Sequence, residues 1–223
     1  MTGDAPHQIH TYVRRRGRMT RAQARAFDES ADDYRVEPGD IAGAGGAPIG
    51  IEIGFGMGQA LLAWAEASRD WRLVGIELYQ PGIGALCDGL SSRELDNVWL
   101  VERPAQEVLA ELPDACIDEI RIFFPDPWPK KRHLKRRLIQ PAFVAALARV
   151  LKPGGCARLA TDWTPYAEWM RECFAEAAAF ACELDETRSA HEASHIEDRA
   201  RTKFEARGEN LGHEIHDLLY VRA

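Results

Sequence analysis

Two hydrophobic periods alternate along this chain. Short compact apolar runs end in glycine, proline or an acid, and each is followed by a longer stretch with apolar residues three and four apart. "PIGIEIGFGMG" (48–58) reads as a strand breaking into glycines, and "QALLAWAEAS" (59–68) continues as a helix. "RLVGIE" (72–77), "NVWLVE" (97–102) and "IDEIRIFF" (117–124) repeat the strand pattern, with "PGIGALCDGL" (81–90) and "AQEVLAEL" (105–112) as the helices between them. "RRLIQPAFVAALARVL" (136–151) has helical spacing and stops at "KPGG" (152–155), a glycine-based C-cap and turn. "CARLATD" (156–162) is a fifth strand, "PYAEWMRECFAEAAAF" (165–180) an amphipathic helix, and "EIHDLLYVR" (214–222) a candidate last strand. The alternation predicts an α/β fold, a doubly wound and mostly parallel sheet with helices on both faces. Ligands of such sheets gather at the carboxyl ends of the strands. The chemistry is therefore expected just after strands one, two, four and five.

Residues 1–45 lack a sustained apolar period. They read as a basic arm with one short helix near 20–30 and a Gly-rich linker, "GDIAGAGGAP" (39–48), leaving residues 46–223 as the domain proper. With 223 residues, 46% of them apolar, the chain can bury the core of one substantial domain. No apolar run approaches the length of a membrane span, and no signal h-region follows the Arg-rich start, so a cytoplasmic protein is expected. Five cysteines without a C-x-x-C pair predict reduced, mostly buried thiols and no metal site. Net charge is −7, yet Arg14, Arg15, Arg16, Arg18, Arg21 and Arg25 form one basic cluster and Lys130 to Arg137 another. Segregated cations on an acidic protein point to a polyanionic partner that touches two patches.

Behind strand one stands Glu52-Ile53-Gly54-Phe55-Gly56-Met57-Gly58, and Glu77 closes strand two. Closely spaced glycines let the backbone turn sharply and approach a ligand, and an acid at Glu77 can accept from ribose hydroxyls. A dinucleotide fingerprint needs a glycine where this chain has Gln59, and Glu52 would repel a pyrophosphate while suiting a cationic ligand. That pattern is similar to the S-adenosylmethionine site of class I methyltransferases. A dehydrogenase, or a mere tight turn, is the alternative at this point.

After strand four comes "FPDPWPKKRHLKRR" (124–137). Pro125, Pro127 and Pro129 hold the segment extended. Asp126 and Trp128 alternate with the prolines, and a carboxylate and flat ring on one side suit a nucleobase, the acid accepting from its N–H groups and the ring stacking. The cations behind them are expected to hold phosphates. A proline-stiffened turn before a charged helix is the alternative. Together with "IEIGFGMG", "ATDW" and "TKFEARG", this loop resembles the bacterial tRNA (guanine-N7-)-methyltransferase family over nearly the whole chain, from "YVRRRGRMTRAQ" to "GHEIHDLLYVR".

The resemblance implies a Rossmann-like class I methyltransferase fold and an enzyme that moves a methyl group from S-adenosylmethionine to N7 of a guanine in the tRNA variable loop. Glu52, Gly54, Gly56, Gly58 and Glu77 match cofactor-binding positions. Asp126 matches the catalytic acid and also borders the cofactor. Lys130, Asp162, Thr202, Lys203, Phe204 and Glu205 match substrate-binding positions, and Lys131, Arg132 and the N-terminal arginines are expected to anchor tRNA. Pro104 stands where the family has an Asp, so the contact to the adenine amino group passes to backbone or water. Another RNA base as acceptor, or a non-catalytic RNA-binding protein, remains the alternative; monomer and dimer both stay open. "HEASH" (His191 to His195) fits a zinc-helix pattern but sits in a polar stretch without the packed helix that zinc needs. His213 and His216 read as surface or sheet-edge residues, His133 as solvated or phosphate-contacting, and Asp162-Trp163 alternatively as a helix N-cap region.

Overall fold

A computed structural model of the chain describes residues 17–43, 45–189, 192 and 214–223. Five strands, β1 (Ile49–Ile53), β2 (Arg72–Ile76), β3 (Val98–Val101), β4 (Ile117–Phe123) and β5 (Leu151–Thr161), lie parallel. Two more, β6 (Phe180–Ser189) and β7 (Glu214–Arg222), pair antiparallel to each other, and β7 pairs antiparallel to β5. The strand order is β3-β2-β1-β4-β5-β7-β6, so the direction of winding reverses between β1 and β4. The expected mostly parallel α/β sheet is the observed one.

Period-2 alternation divides the core. Ile49, Ile51 and Ile53 of β1 and Ile120 and Ile122 of β4 join one cluster with α5 (Ala105–Glu111), α6 (Pro141–Val150) and α7 (Thr164–Ala175). Leu73, Val98 and Leu100 join a second with α1 (Arg21–Tyr34), α3 (Gln59–Ala67) and α4 (Gln80–Ser92). The short α2 (Pro38–Ile41) carries Ile41, fully buried, into the first cluster, so the predicted linker contributes to the core.

Several expected boundaries moved for local reasons. The helix expected over 136–151 begins at Pro141, because a proline holds Gln140 extended (φ −136°, ψ 158°) and is itself favoured at the first helical position. Its C-cap is the extended Leu151, and the "KPGG" residues form an irregularity inside β5 where the register with β4 shifts. The helix expected over 165–180 stops at Ala175, and β6 follows where no strand was expected. Its inward position Arg188 is charged and pairs with the buried Asp217 (Nε–Oδ2 2.6 Å), which hides the apolar alternation a strand normally shows.

α1 is N-capped by Thr20, whose side chain accepts from the Gln23 amide while Gln23 returns the bond. It lies against α4 so closely that any Cβ on Gly84 would run into the Gln23 carbonyl oxygen. Beyond α1 the chain crosses the outer side of β3, where Arg35 bridges Leu100 in parallel and the Val36 amide donates to the Leu100 carbonyl (3.0 Å). His216, read as a surface or edge histidine, is buried in β7 between Thr164 and Thr187, whose Oγ1 atoms lie 3.1 and 2.9 Å from its two ring nitrogens. The cysteines are free: Cys87 and Cys173 buried, Cys116 and Cys156 half-buried, Cys182 exposed.

Candidate active site

Beyond β1 the backbone takes left-handed geometry three times, at Gly54 (φ 75°), Gly56 (φ 57°) and Gly58 (φ 78°). Side chains other than glycine resist that region. A Cβ on Gly54 or Gly56 would meet nothing within 4 Å among the described residues, so both glycines front open space, whereas Gly58 caps α3 against Leu86. Phe55 turns inward and packs on Gly75 of β2, fixing the turn from beneath.

Glu77 ties this turn to the next strand. Its Oε2 accepts from the Gly56 amide (2.9 Å), and its Oε1 accepts from the amides of Leu78 (2.7 Å) and Tyr79 (3.0 Å). Three amides hold the carboxylate, leaving one lone-pair site on Oε2 for a ligand hydroxyl. Glu52 is different. It is 3% exposed, its Oε2 meets no hydrogen-bond partner among the described residues, and burial pushes its carboxyl up to about 8, with Arg121 opposing and Glu77 adding. A buried carboxylate with an unmet oxygen beside an open glycine turn suits a ligand that brings a positive charge.

Pro104 is the N-cap residue of α5 and offers no side-chain bond there; its carbonyl accepts from the Glu107 (3.0 Å) and Val108 (3.1 Å) amides. Glu102, two residues earlier, is held by Arg35 (2.9 Å) and Gln80 (3.3 Å).

The proline loop leaves the end of β4 with left-handed turns at Phe124 (φ 52°) and Trp128 (φ 42°). Asp126 is exposed. The Trp128 ring is already engaged: the Arg136 guanidinium lies 5.0 Å over it and His133 meets it edge-on at 5.5 Å. Its expected role as a stacking surface is thus contested on one face by the protein itself. Lys130, Lys131, Arg132, Lys135 and Arg136 are exposed on and beside the 3-10 turn Lys131–Arg136. Partial desolvation and the neighbouring cations Arg132, Arg136 and Lys130 lower the His133 pKa.

Arg137 departs from the rest of the run. It is 4% exposed and donates from Nε to the Pro127 carbonyl (3.0 Å) and from Nη1 to the Pro165 carbonyl (3.1 Å), over the Tyr166 ring at 4.8 Å. It clamps the proline loop to the start of α7. Arg137→Met leaves two carbonyls unmet, and we expect a loss of about 2–3 kcal/mol in urea unfolding, where exposed Lys131→Met changes stability by less than ~0.5 kcal/mol.

Asp162 follows β5 directly and precedes Trp163, the N-cap residue of α7, so the pair does form the helix N-cap region, without a side-chain cap bond. Trp163 is 38% exposed, one of two exposed large hydrophobic residues among those described. Thr202, Lys203, Phe204, Glu205, Arg14, Arg15, Arg16, His191, His195 and His213 lie outside the described residues. The segment bearing the first four leaves after Ser189 and returns at Glu214, which are register partners next to the carboxyl end of β5. Arg18 and Arg21 are exposed, and Gly17 touches the ring of Tyr79 two residues beyond Glu77. Glu52, Glu77, Asp126, Lys130 and Asp162 thus all leave the same edge of the sheet.

Sequence reasoning missed Gly82, in the first turn of α4. A Cβ there would overlap the Gly56 carbonyl oxygen, so α4 and the glycine turn touch backbone to backbone. No group of three or more His, Cys, Asp or Glu among the described residues is arranged to hold a metal ion, and no described helix is long and apolar enough to cross a membrane.

A family model described as "Putative methyltransferase" matches residues 46–218. The chain is 42% identical to the tRNA (guanine-N(7)-)-methyltransferase of Marinobacter nauticus, covering 96% of this chain and 92% of that protein. It is 44% identical to the protein of that name from Nitrosococcus oceani, covering 98% and 92%. Among solved structures, the 16S rRNA methyltransferase KamB superposes with a TM-score of 0.58 at 14% identity, over 93% of this chain and 95% of that one. The 16S rRNA (adenine(1408)-N(1))-methyltransferase of Catenulisporales acidiphilia, with its cosubstrate SAM, gives 0.56 at 17% identity over 84% and 92%. The fold is that of class I methyltransferases.

Proposed function

The chain belongs to the tRNA (guanine-N(7)-)-methyltransferase family, and from that premise we propose how its residues carry the reaction. The protein is an enzyme that methylates N7 of a guanine in tRNA with S-adenosylmethionine as donor. The acceptor guanine lies in the variable loop, residues 46–223 carry the transfer, residues 1–45 grip RNA, and the enzyme works in the cytoplasm.

One observation supports the division of roles best. The buried, incompletely satisfied Glu52 carboxylate and the open glycine turn stand on the sheet edge from which Asp126 and the exposed cations leave. The donor set fits the cofactor. Glu52 binds its ammonium, the remaining acceptor site on Glu77 takes a ribose hydroxyl, and Gly54 and Gly56 give the ligand room where any Cβ would stand. The Pro104 position contributes backbone alone.

When bound, S-adenosylmethionine supplies a methyl group on a sulfonium that departs as a neutral thioether. Guanine N7 offers a lone pair in the neutral base, so the protein has no proton to remove. Its work is to align the base and balance the positive charge that develops on it. Asp126 does both by accepting from the N–H groups of the base. Lys130, Asp162 and Thr202 to Glu205 hold the surrounding nucleotide.

Incubation with unmodified tRNA and methyl-labelled donor, followed by nucleoside analysis, tests this reading. Label is expected in N7-methylguanosine; label in another nucleoside overturns the base assignment, and binding of both ligands without transfer favours an RNA-binding role. The exposed cations predict a steep salt response. With about four to six phosphates neutralised, log K for tRNA should fall with log [salt] at a slope of roughly −3 to −5, and each of Lys131→Ala and Arg132→Ala should make it shallower by ~0.7–0.9. A flat response counts against the proposed grip.

A further inference from the structure

A row of buried charge lies beneath α3 that the roles above do not use. Alternation leaves Gly50 and Glu52 of β1 and Glu119 and Arg121 of β4 on the face away from α5–α7. Glu52 and Arg121 are register partners on neighbouring parallel strands, each 3% exposed. Arg121 donates from Nε to Glu119 Oε1 (2.6 Å), and Arg158 of β5 donates from Nε to that same oxygen (3.0 Å). The Arg121 guanidinium also lies 3.7 Å over the Trp64 ring of α3. Its Nη1, like Glu52 Oε2, has no hydrogen-bond partner among the described residues.

Two guanidinium groups therefore share one carboxylate, and the ionised form of Glu52 brings the row to neutrality. Apolar residues of similar size would fill this layer at lower cost, because a buried charge pair seldom recovers its desolvation. The row makes physical sense if Glu52 has to become ionised out of water when its ligand binds. We propose that Arg121 is a positioning residue for the cofactor carboxylate: its buried charge on the neighbouring strand lets Glu52 give up its proton when a ligand ammonium arrives, without touching the ligand itself. The proposal rests on the reading of Glu52 as the ammonium's partner.

Among the described residues, the charged groups facing Glu52 are Arg121 from β4 and Glu77 from the end of β2, with Arg158 reaching it only through Glu119. From α3 the uncharged Trp64 ring covers Arg121. Burial raises the Glu52 pKa to about 8 and Arg121 opposes that rise, so removing the guanidinium raises it further. The ligand's ammonium must then displace a proton from Glu52 over a wider range of pH before it can bind.

Calorimetric binding of two ligands separates this from a packing role. S-adenosylhomocysteine carries the amino-acid end with its ammonium; methylthioadenosine keeps the nucleoside and sulfur but lacks that end. In Arg121→Met, the Kd for S-adenosylhomocysteine should rise about tenfold at pH 7 and recover toward the wild-type value by pH 9, with methylthioadenosine within about twofold throughout. Arg121→Lys, which keeps the charge but withdraws it, should fall between the two and carries the test if the methionine variant does not fold. Unchanged binding of S-adenosylhomocysteine at every pH overturns the proposal, as does an equal, pH-independent loss for both ligands. Glu52→Gln serves as the separate control. It should weaken S-adenosylhomocysteine alone, and wild-type binding there would sink the Glu52 reading and not Arg121 specifically.

Discussion

Asp126→Asn should lower the single-turnover rate of methyl transfer to tRNA by about 10²–10³, with the Kd for S-adenosylhomocysteine changed by no more than a few fold. The substitution keeps size and shape. It removes the negative charge that offsets the cation forming on guanine, and it puts an N–H where the base presents N–H groups of its own. The large effect is therefore expected in the chemical step and in base alignment, with little in cofactor affinity. Asp126 is exposed on a loop braced by three prolines and clamped by Arg137, so no fold-wide loss should accompany it. Rapid-quench measurement with labelled donor checks the rate, and calorimetry checks the ligand. A normal rate with both ligands bound would remove Asp126 from the reaction.

Gly82→Ala is expected to abolish measurable cofactor binding, raising Kd by more than about 10², for a destabilisation of only ~1–3 kcal/mol. The added methyl would overlap the Gly56 carbonyl oxygen, a backbone atom that cannot rotate away. Relief must come from moving the glycine turn, which carries the Gly56 amide off Glu77 Oε2. The methyl thus damages both halves of the ligand cradle at once, while the rest of α4 keeps its packing. Gly89→Ala on the same helix is the comparison. Its nearest neighbours would be side-chain atoms of Leu62 and Arg93, so it should cost stability and leave cofactor affinity nearly intact. Equal losses of affinity in the two variants would show that helix glycine content, and not the backbone contact with Gly56, governs the site.

The parts of this design that are local in the chain were legible in it. A strand that breaks into Gly54, Gly56 and Gly58 and a second that closes on Glu77 each carry their geometry within a few residues. The proline loop, expected to be extended throughout, instead turns left-handed at Phe124 and Trp128, directly before Pro125 and Pro129. The parts that depend on distant partners were not. Gly82 looks like an indifferent glycine in a helix until Gly56 is brought against it. Arg137 is indistinguishable from Lys130 or Arg136 in a cationic run, yet it alone among those three is buried, donating to the Pro127 and Pro165 carbonyls. Arg121 and Glu119 carry no sequence signal of their buried pairing, because alternation says which residues share a face and not what lies against that face. β6 was missed for a related reason: its buried anchor is Arg188, whose partner Asp217 comes after a long excursion of the chain.

The contact of Arg35 and Val36 with Leu100 bears on how RNA binding by the first residues ought to be dissected. β3 is the outermost strand on its side of the sheet, and that stretch of chain covers part of its otherwise open hydrogen-bonding edge. Cutting the protein back to the start of β1 would strip the arginines, but it would also uncover a strand edge ready to recruit another chain. A truncated protein that fails to bind tRNA could then be failing through self-association. Charge reversal at Arg18 and Arg21, with α1 left seated on α4, separates the electrostatic question from the colloidal one.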